Sequence, residues 1–265
     1  MKPNSIENYV YDFEAFRKSL KPPKIVPVIC HYTNIPILLK ILDTKKIKFN
    51  RIDFVNDLTE KEGLKENNNY KMVFVSCFTK NDEEKIPMWK IYTKGATGVF
   101  VKFFFKENIP AKELFNDSLG CHSKNTTIPI VGRNVVIDDL GASLDFYNVE
   151  YVDKFIKSAT KKHSDGNTYD YPFYFARYKR TCWEYEEELR YNITLKTGQN
   201  YNKNRQDFKE LFLTINFNCL DKIEIVFNPW TSKNEWESIL NPFITKINKD
   251  LFELKDSILK NTIKF

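Results

Sequence analysis

With 8 glycines in 265 residues, the chain has few places where backbone can close around a phosphate. It holds neither a P-loop nor a Rossmann glycine fingerprint, which excludes the nucleotide sites built on those loops. No H-E-x-x-H and no nucleophile elbow occurs, removing the usual zinc-peptidase and serine-hydrolase chemistry. The five cysteines, at 30, 77, 121, 182 and 219, lie too far apart for any C-x-x-C motif. Their odd number argues against a disulfide framework, and reduced thiols in a cytoplasmic protein are expected. No apolar run approaches the ~18 residues of a spanning helix. The opening M-K-P-N-S-I-E-N-Y-V-Y-D-F-E has no apolar leader core, so neither membrane insertion nor secretion is expected.

What is present is a globular composition: 42% hydrophobic, 29% charged and 15% aromatic, with 22 Phe and 14 Tyr. The length can bury a full core, and with no repeat or low-complexity tract a single domain over 1–265 is expected. The net charge of +6 is compatible with an anionic partner without requiring one.

The order of elements points to α+β, with mixed, mainly antiparallel sheets and flanking helices. Residues 5–20 read as a helix ending before Pro22-Pro23, followed by a strand over Ile25–Tyr32. Thr33 or Asn34 can cap a helix with Pro36 in its first turn, and Ile35, Leu38, Leu39 and Leu42 recur at helical spacing. Strands are expected at 47–52, 72–78, 98–105, 147–152, 213–217 and 223–227. Short helices are expected from Pro87, over 153–162 and after 200–205, and a further one capped by Thr231 or Ser232 contains Trp236 and Leu240. Residues 161–170 read as an exposed connection.

The most informative stretch is W-E-Y-E-E-E-L-R-Y-N-I-T-L, Trp183 to Leu195. Read as one strand, its odd positions form an apolar face interrupted by Glu187, and Glu184, Glu186, Glu188 and Arg190 share the other face. Crowding like charges where a hydrophobic strand begins carries an electrostatic cost, so Glu186 and Glu188 are candidate site carboxylates. The structural alternative is a fraying helix end with Glu186 paired to Arg190.

Among three histidines, His31 ends an apolar strand just before a helix cap, where polar groups often face a ligand; a structural role is the alternative. His163 sits in a polar loop, and adjacent Cys121 and His122 point apart on an extended chain. The segment D-Y-P-F-Y-F-A-R-Y-K-R, Asp170 to Arg180, interleaves aromatics with cations. Such a patch can stack bases, but a core-facing aromatic row with a solvated basic edge is the plainer reading. Asn56-Asp57-Leu58-Thr59-Glu60 offers oxygen ligands without calcium-loop spacing and reads as a turn or cleft wall.

Taken in order, His31-Tyr32-Thr33, Asn56-Asp57 with Glu60, Ser76-Cys77-Phe78, Met88-Trp89 with Tyr92, Gly98-Val99, and Trp183 with Tyr185, Glu186, Glu188 and Arg190 resemble the bacterial family called domain of unknown function 2971. Leu58 departs from that family, which often has proline after Asn-Asp. At greater distance the layout resembles the ADP-ribosyltransferase superfamily, with His31 as first motif, Ser76 or Tyr92 as second and Glu186-x-Glu188 as third. The resemblance implies an ADP-ribosyltransferase-like fold that uses NAD as substrate and no metal. Glu188 would counter a ribosyl cation and Glu186 would orient or deprotonate an acceptor. His31, Tyr32, Ser76, Tyr92 and Arg190 would bind the dinucleotide, with Arg190 fixing Glu188 or contacting pyrophosphate. A macromolecular acceptor, protein or nucleic acid, is implied, as is a toxin or antiphage-defence setting with an antitoxin or regulatory partner. Two alternatives remain: a non-catalytic nucleotide- or nucleic-acid-binding module, and a metal-dependent nuclease using Asp57, Glu60, Glu186 and Glu188.

Overall fold

The computed structural model describes residues 26–57, 59–60, 70–93, 95, 97–115, 127–130, 133–136, 142–153, 160–162, 168–170, 176–195 and 208–262. The helix expected over 5–20, together with Leu58, Cys121, His122 and His163, lies outside the described residues; the helix expected after 200–205 is not found in the described part of its span, where the chain enters the strand Glu210–Thr214 instead. Within them the chain is a mixed α+β fold built on a nine-stranded, predominantly antiparallel sheet.

The sheet strands are β1 (Val28–Asn34), β2 (Lys46–Arg51), β3 (Val73–Thr79), β4 (Gly98–Phe105), β5 (Ala142–Asn148), β8 (Glu188–Leu195), β9 (Glu210–Thr214), β10 (Leu220–Phe227) and β11 (Phe252–Lys255). Short strands β6 (Glu150–Val152) and β7 (Tyr178–Arg180) form a separate parallel pair. The sheet order is β9-β2-β3-β1-β4-β10-β11, with β8 on β3 and β5 beyond β8. Only the β10–β11 contact within this sheet is parallel.

Among the described residues three α-helices flank it. Helix α1 (Ile35–Thr44) is capped by Asn34, whose side chain accepts from the Ile37 N–H at 3.0 Å, and Pro36 lies in its first turn. Its Ile35, Leu38, Ile41 and Leu42 are buried in the main core beside Leu240 and Ile244 of α3 (Lys233–Ile247). Ser232 and Glu235 close a capping box at the start of α3, leaving fewer orphan N–H groups. Helix α2 (Ile86–Tyr92) packs on the other face, where Met88 and Trp89 join Cys30, Tyr32 and Phe100 in a second core. At the α2 C-terminus the chain turns closely: a Cβ on Gly98 would lie 2.4 Å from Thr93 Cβ, so only glycine fits there.

Several boundaries differ from expectation. The strand expected over 147–152 is two strands, β5 and β6, and the later strand lies at Glu210–Thr214 rather than 213–217. The C-terminal end of the helix expected over 153–162 is instead a strand, Thr160–Lys162, pairing antiparallel with Thr168–Asp170 in what reads as a plain connection. Local periodicity is weak in this polar stretch, so backbone pairing of these two segments outweighs helix propensity.

The sheet parts at one place. β8 lies along one edge of β3 from Glu188↔Thr79 to Thr194↔Val73. On the other edge β1 meets β3 only at Cys30↔Thr79, and β2 meets it only at Asn50↔Val75 and Arg51↔Phe74. Between these contacts the edge of β3 at Ser76, Cys77 and Phe78 is left open.

Candidate functional site

A cavity of about 210 Å³ occupies this parting. His31, Tyr32, Ser76, Tyr92, Glu186, Glu188 and Arg190, the seven site residues expected from sequence, all contribute to its wall, as does Lys179.

The two glutamates reach it by a route the strand reading missed. Residues Thr181–Glu186 form a 3-10 helix rather than the start of a strand, Glu187 is left-handed (φ 46°, ψ 49°), and β8 begins at Glu188. Glu186 and Glu188 therefore do not share a strand face through period-two spacing; the left-handed residue between them turns both toward the cavity. The conformation costs a non-glycine residue roughly 1–2 kcal/mol, and surrounding contacts hold it. Glu187 accepts from Lys85 Nζ at 2.6 Å and Asn81 Nδ2 at 2.9 Å, and its carbonyl accepts from the Lys80 N–H at 3.1 Å. From Leu189 onward the alternation holds: Leu189, Tyr191, Ile193 and Leu195 enter the main core, and Glu188, Arg190, Asn192 and Thr194 face the other way, all buried.

Lys179, at the centre of β7, joins the carboxylates. Its Nζ donates to Glu186 at 2.5 Å and to Glu188 at 3.0 Å, lies 3.8 Å from Glu60, and sits 4.8 Å from the centroid of the Trp183 ring. Sequence reasoning had assigned the basic residues of this segment to a solvated edge. Lys179 is instead only 3% exposed, while Arg180 turns outward to Asp57. The physical reason is that three buried carboxylates need cations inside the fold, a requirement that becomes visible only once their burial is known.

Arg190 supplies the other. Its guanidinium donates to both oxygens of Glu60, both oxygens of Glu188 and the Ala176 carbonyl. All five N–H groups are thereby used. Of the two roles expected, the geometry displays the fixing of Glu188 and leaves no donor for a pyrophosphate.

Three carboxylates against two cations cannot all be equally comfortable. Burial alone would raise Glu188, but Arg190 and then Lys179 outweigh it and bring the carboxyl down to about 2. Burial raises Glu186, and the opposing pull of Lys179 is partly cancelled by the charge of Glu188. Glu60 is raised for the same reasons, with Arg190 in opposition. Tyr92 donates its hydroxyl to Glu186 at 2.5 Å, and burial followed by that negative neighbour holds its proton in place. The two carboxyls are thus pushed in opposite directions, Glu188 down and Glu186 up, the pattern by which acid and base roles are commonly divided.

His31 stands on the opposite face from Glu188. Ile29 and Val101 flank it in the main core, whereas Cys30 and Tyr32 face α2. It reaches the same cavity because the sheet is open there: its Nδ1–H donates to the Cys77 carbonyl at 2.9 Å, and its ring packs 5.2 Å from Phe78. Burial of the ring lowers its pKa, the hydrogen bond to Cys77 opposing. The neutral ring with Nδ1 protonated leaves Nε2 as an acceptor. Ser76 shares that face with Phe74 and Phe78. Tyr32 stacks on Phe100 and accepts from the Lys85 N–H at 3.0 Å, anchoring the start of α2, so its hydroxyl supports Tyr92 at a distance.

Asp57 and Glu60 form a turn, with the Glu60 N–H donating to the Asp57 carbonyl and Thr59 donating to the Asp57 carboxylate. Among the described residues no cluster of His, Cys, Asp or Glu is placed to hold a metal ion, and Asp57, Glu60, Glu186 and Glu188 each face a cation of the chain itself. No helix among the described residues is long and apolar enough to cross a membrane.

No protein-family model, no curated protein and no solved structure matches this chain.

Proposed function

We propose that this chain is an ADP-ribosyltransferase-like enzyme that takes NAD as substrate and transfers ADP-ribose to a macromolecule, protein or nucleic acid. The observation that carries the reading is that one cavity, opened by the parting of β1 and β2 along β3, gathers His31, Tyr92, Glu186 and Glu188 from three separate segments. Its volume is below the roughly 300–1,000 Å³ of pockets that enclose whole drug-sized ligands, so it suits one end of a dinucleotide. The nicotinamide riboside enters and the rest lies over the lip at Lys48, Asn50, Phe54 and Asn56.

In this reading the bond between ribose C1′ and the nicotinamide nitrogen breaks, and the electron pair leaves with nicotinamide. The positive charge that develops on the ribose faces Glu188, which stays ionised. Neutral His31, in the cavity wall, accepts a hydrogen bond from a ribose hydroxyl through Nε2. The Tyr92 ring packs against nicotinamide while its hydroxyl steadies Glu186. Glu186, made more basic than an ordinary glutamate by its burial, takes the proton of the acceptor as its nucleophile bonds to C1′. A toxin or antiphage-defence role with a restraining partner follows from the family resemblance alone. A binding module without turnover is the second reading, favoured by the Lys179 ammonium that already neutralises the pair.

Incubation with adenylate-labelled NAD and cell extract, followed by separate recovery of protein and nucleic acid, tests the proposal. Label in one fraction with release of free nicotinamide is expected, and Glu186→Gln should weaken transfer more than NAD hydrolysis. NAD that binds but yields neither product would leave the binding module; NAD that does not bind at all removes the proposal.

A further inference from the structure

We infer that Lys179 is a positioning residue for the carboxylate pair, binding Glu186 and Glu188 at once so that Glu188 stays ionised and faces the reacting sugar. This rests on the reading of those two glutamates as the reacting pair.

The placement of Lys179 is built from outside the main sheet. β7 runs parallel to β6 with Lys179 opposite Tyr151, and both register partners reach the start of β8. The Tyr151 hydroxyl accepts from the Glu188 backbone N–H at 2.8 Å, while the Lys179 ammonium binds the Glu188 carboxylate at 3.0 Å. Two neighbouring strand residues thus grip one residue by backbone and by side chain. The Trp183 face closes over the ammonium, so the lysine loses its water without losing favourable electrostatics.

The reach of the ammonium explains why the two carboxylates can lie together. Carboxylates this close would repel and one would take up a proton; a single cation between them removes most of that repulsion while leaving their surroundings unequal. Glu188 has a second cation, Arg190, and Glu186 has only the neutral hydroxyl of Tyr92. The charged or titratable groups facing the pair from the other elements are Glu60, Arg190, Cys77, Tyr92, Tyr151 and Tyr147. Of these only Arg190 carries positive charge, and it is shared with Glu60. Removing Lys179 therefore leaves three carboxylates on one guanidinium.

Carboxyl carbon NMR titration of the full chain, with glutamates labelled, tests this without turnover. Glu188→Gln identifies the Glu188 signal. Because Lys179→Met alone can fail to fold, the decisive comparison is Glu186→Gln against Lys179→Met with Glu186→Gln, which removes one charge of each sign. Glu188 should take up protons at least tenfold more readily once the lysine is gone, and Lys179→Arg should keep it low. In the NAD reaction the acid limb of the pH profile of Lys179→Met should move upward in parallel. Equal Glu188 midpoints with and without Lys179 would overturn the inference. Should the titrations shift as expected while wild-type protein never cleaves NAD, the functional proposal fails and the positioning role of Lys179 stands.

Discussion

The imidazole Nδ1 of His31 lies 2.9 Å from the carbonyl oxygen of Cys77, at the stretch of β3 where β1 and β2 part. The ring thus satisfies a backbone acceptor that would otherwise face an open cavity. This contact places a residue from one face of the sheet in the same cavity as Glu188 on the other, and the following outcomes depend on that cavity.

Glu188→Gln should lower NAD cleavage by roughly 10² or more, the scale of one lost electrostatic stabiliser. The sequence alone favours little effect on folding, but Glu188 is the shared partner of Arg190 and Lys179. Breaking a buried pair costs about 3–5 kcal/mol, so a lower melting temperature should accompany the loss. Rates measured well below that temperature separate the two effects.

The stability contributed by Glu188 should depend on pH with a definite sign. Its folded value is about 2 against an ordinary 4.5, so the unfolded chain takes up the proton first. Its contribution is full above about 4.5 and is lost as pH falls toward 2. The difference in unfolding free energy between wild type and Glu188→Gln should narrow across that window. A constant difference would mean that Glu188 is not held ionised.

Glu187 should tolerate glycine better than valine. Glycine adopts the left-handed conformation freely and loses only the contacts to Lys85 and Asn81, which are worth about 0–1 kcal/mol for half-exposed pairs. A β-branched residue meets the full backbone penalty. Denaturant titration of Glu187→Gly and Glu187→Val checks the order, and equal midpoints would show that the turn is not under conformational constraint.

Gly98→Ala should destabilise the protein by about 1–3 kcal/mol, the usual cost of overpacking. The new Cβ would collide with buried Thr93, whose hydroxyl donates to the Trp89 carbonyl at the end of α2. Moving that end moves Tyr92, so weaker NAD binding should accompany the lower melting temperature.

Trp89→Ala should cost about 3–5 kcal/mol, as for other large buried aromatics, because the ring is 1% exposed in the second core. Trp183 is half-buried and covers Lys179 with its face, so Trp183→Ala should cost less in thermal unfolding. A larger loss at Trp183 would show that the cap over the ammonium outweighs core packing.

Those features that depend on neighbours a few residues away were legible in the sequence. Asn34 and Pro36 begin α1, Ser232 begins α3, and the apolar alternation from Leu189 to Leu195 makes one face of β8, each through hydrogen bonds or periodicity that the local chain carries itself. Glu186 and Glu188 were singled out correctly as a crowded pair of charges, but for the wrong geometric reason. Their approach depends on a left-handed Glu187 that is held by Lys85 and Asn81, about a hundred residues away in sequence. Only the tertiary structure could bury Lys179 between them, spend every donor of Arg190 on carboxylates and a carbonyl, and open the sheet so that His31 meets the same cavity. Charge balance inside a fold and the place where strands part are set by partners distant in sequence, and no local pattern encodes which partners those are.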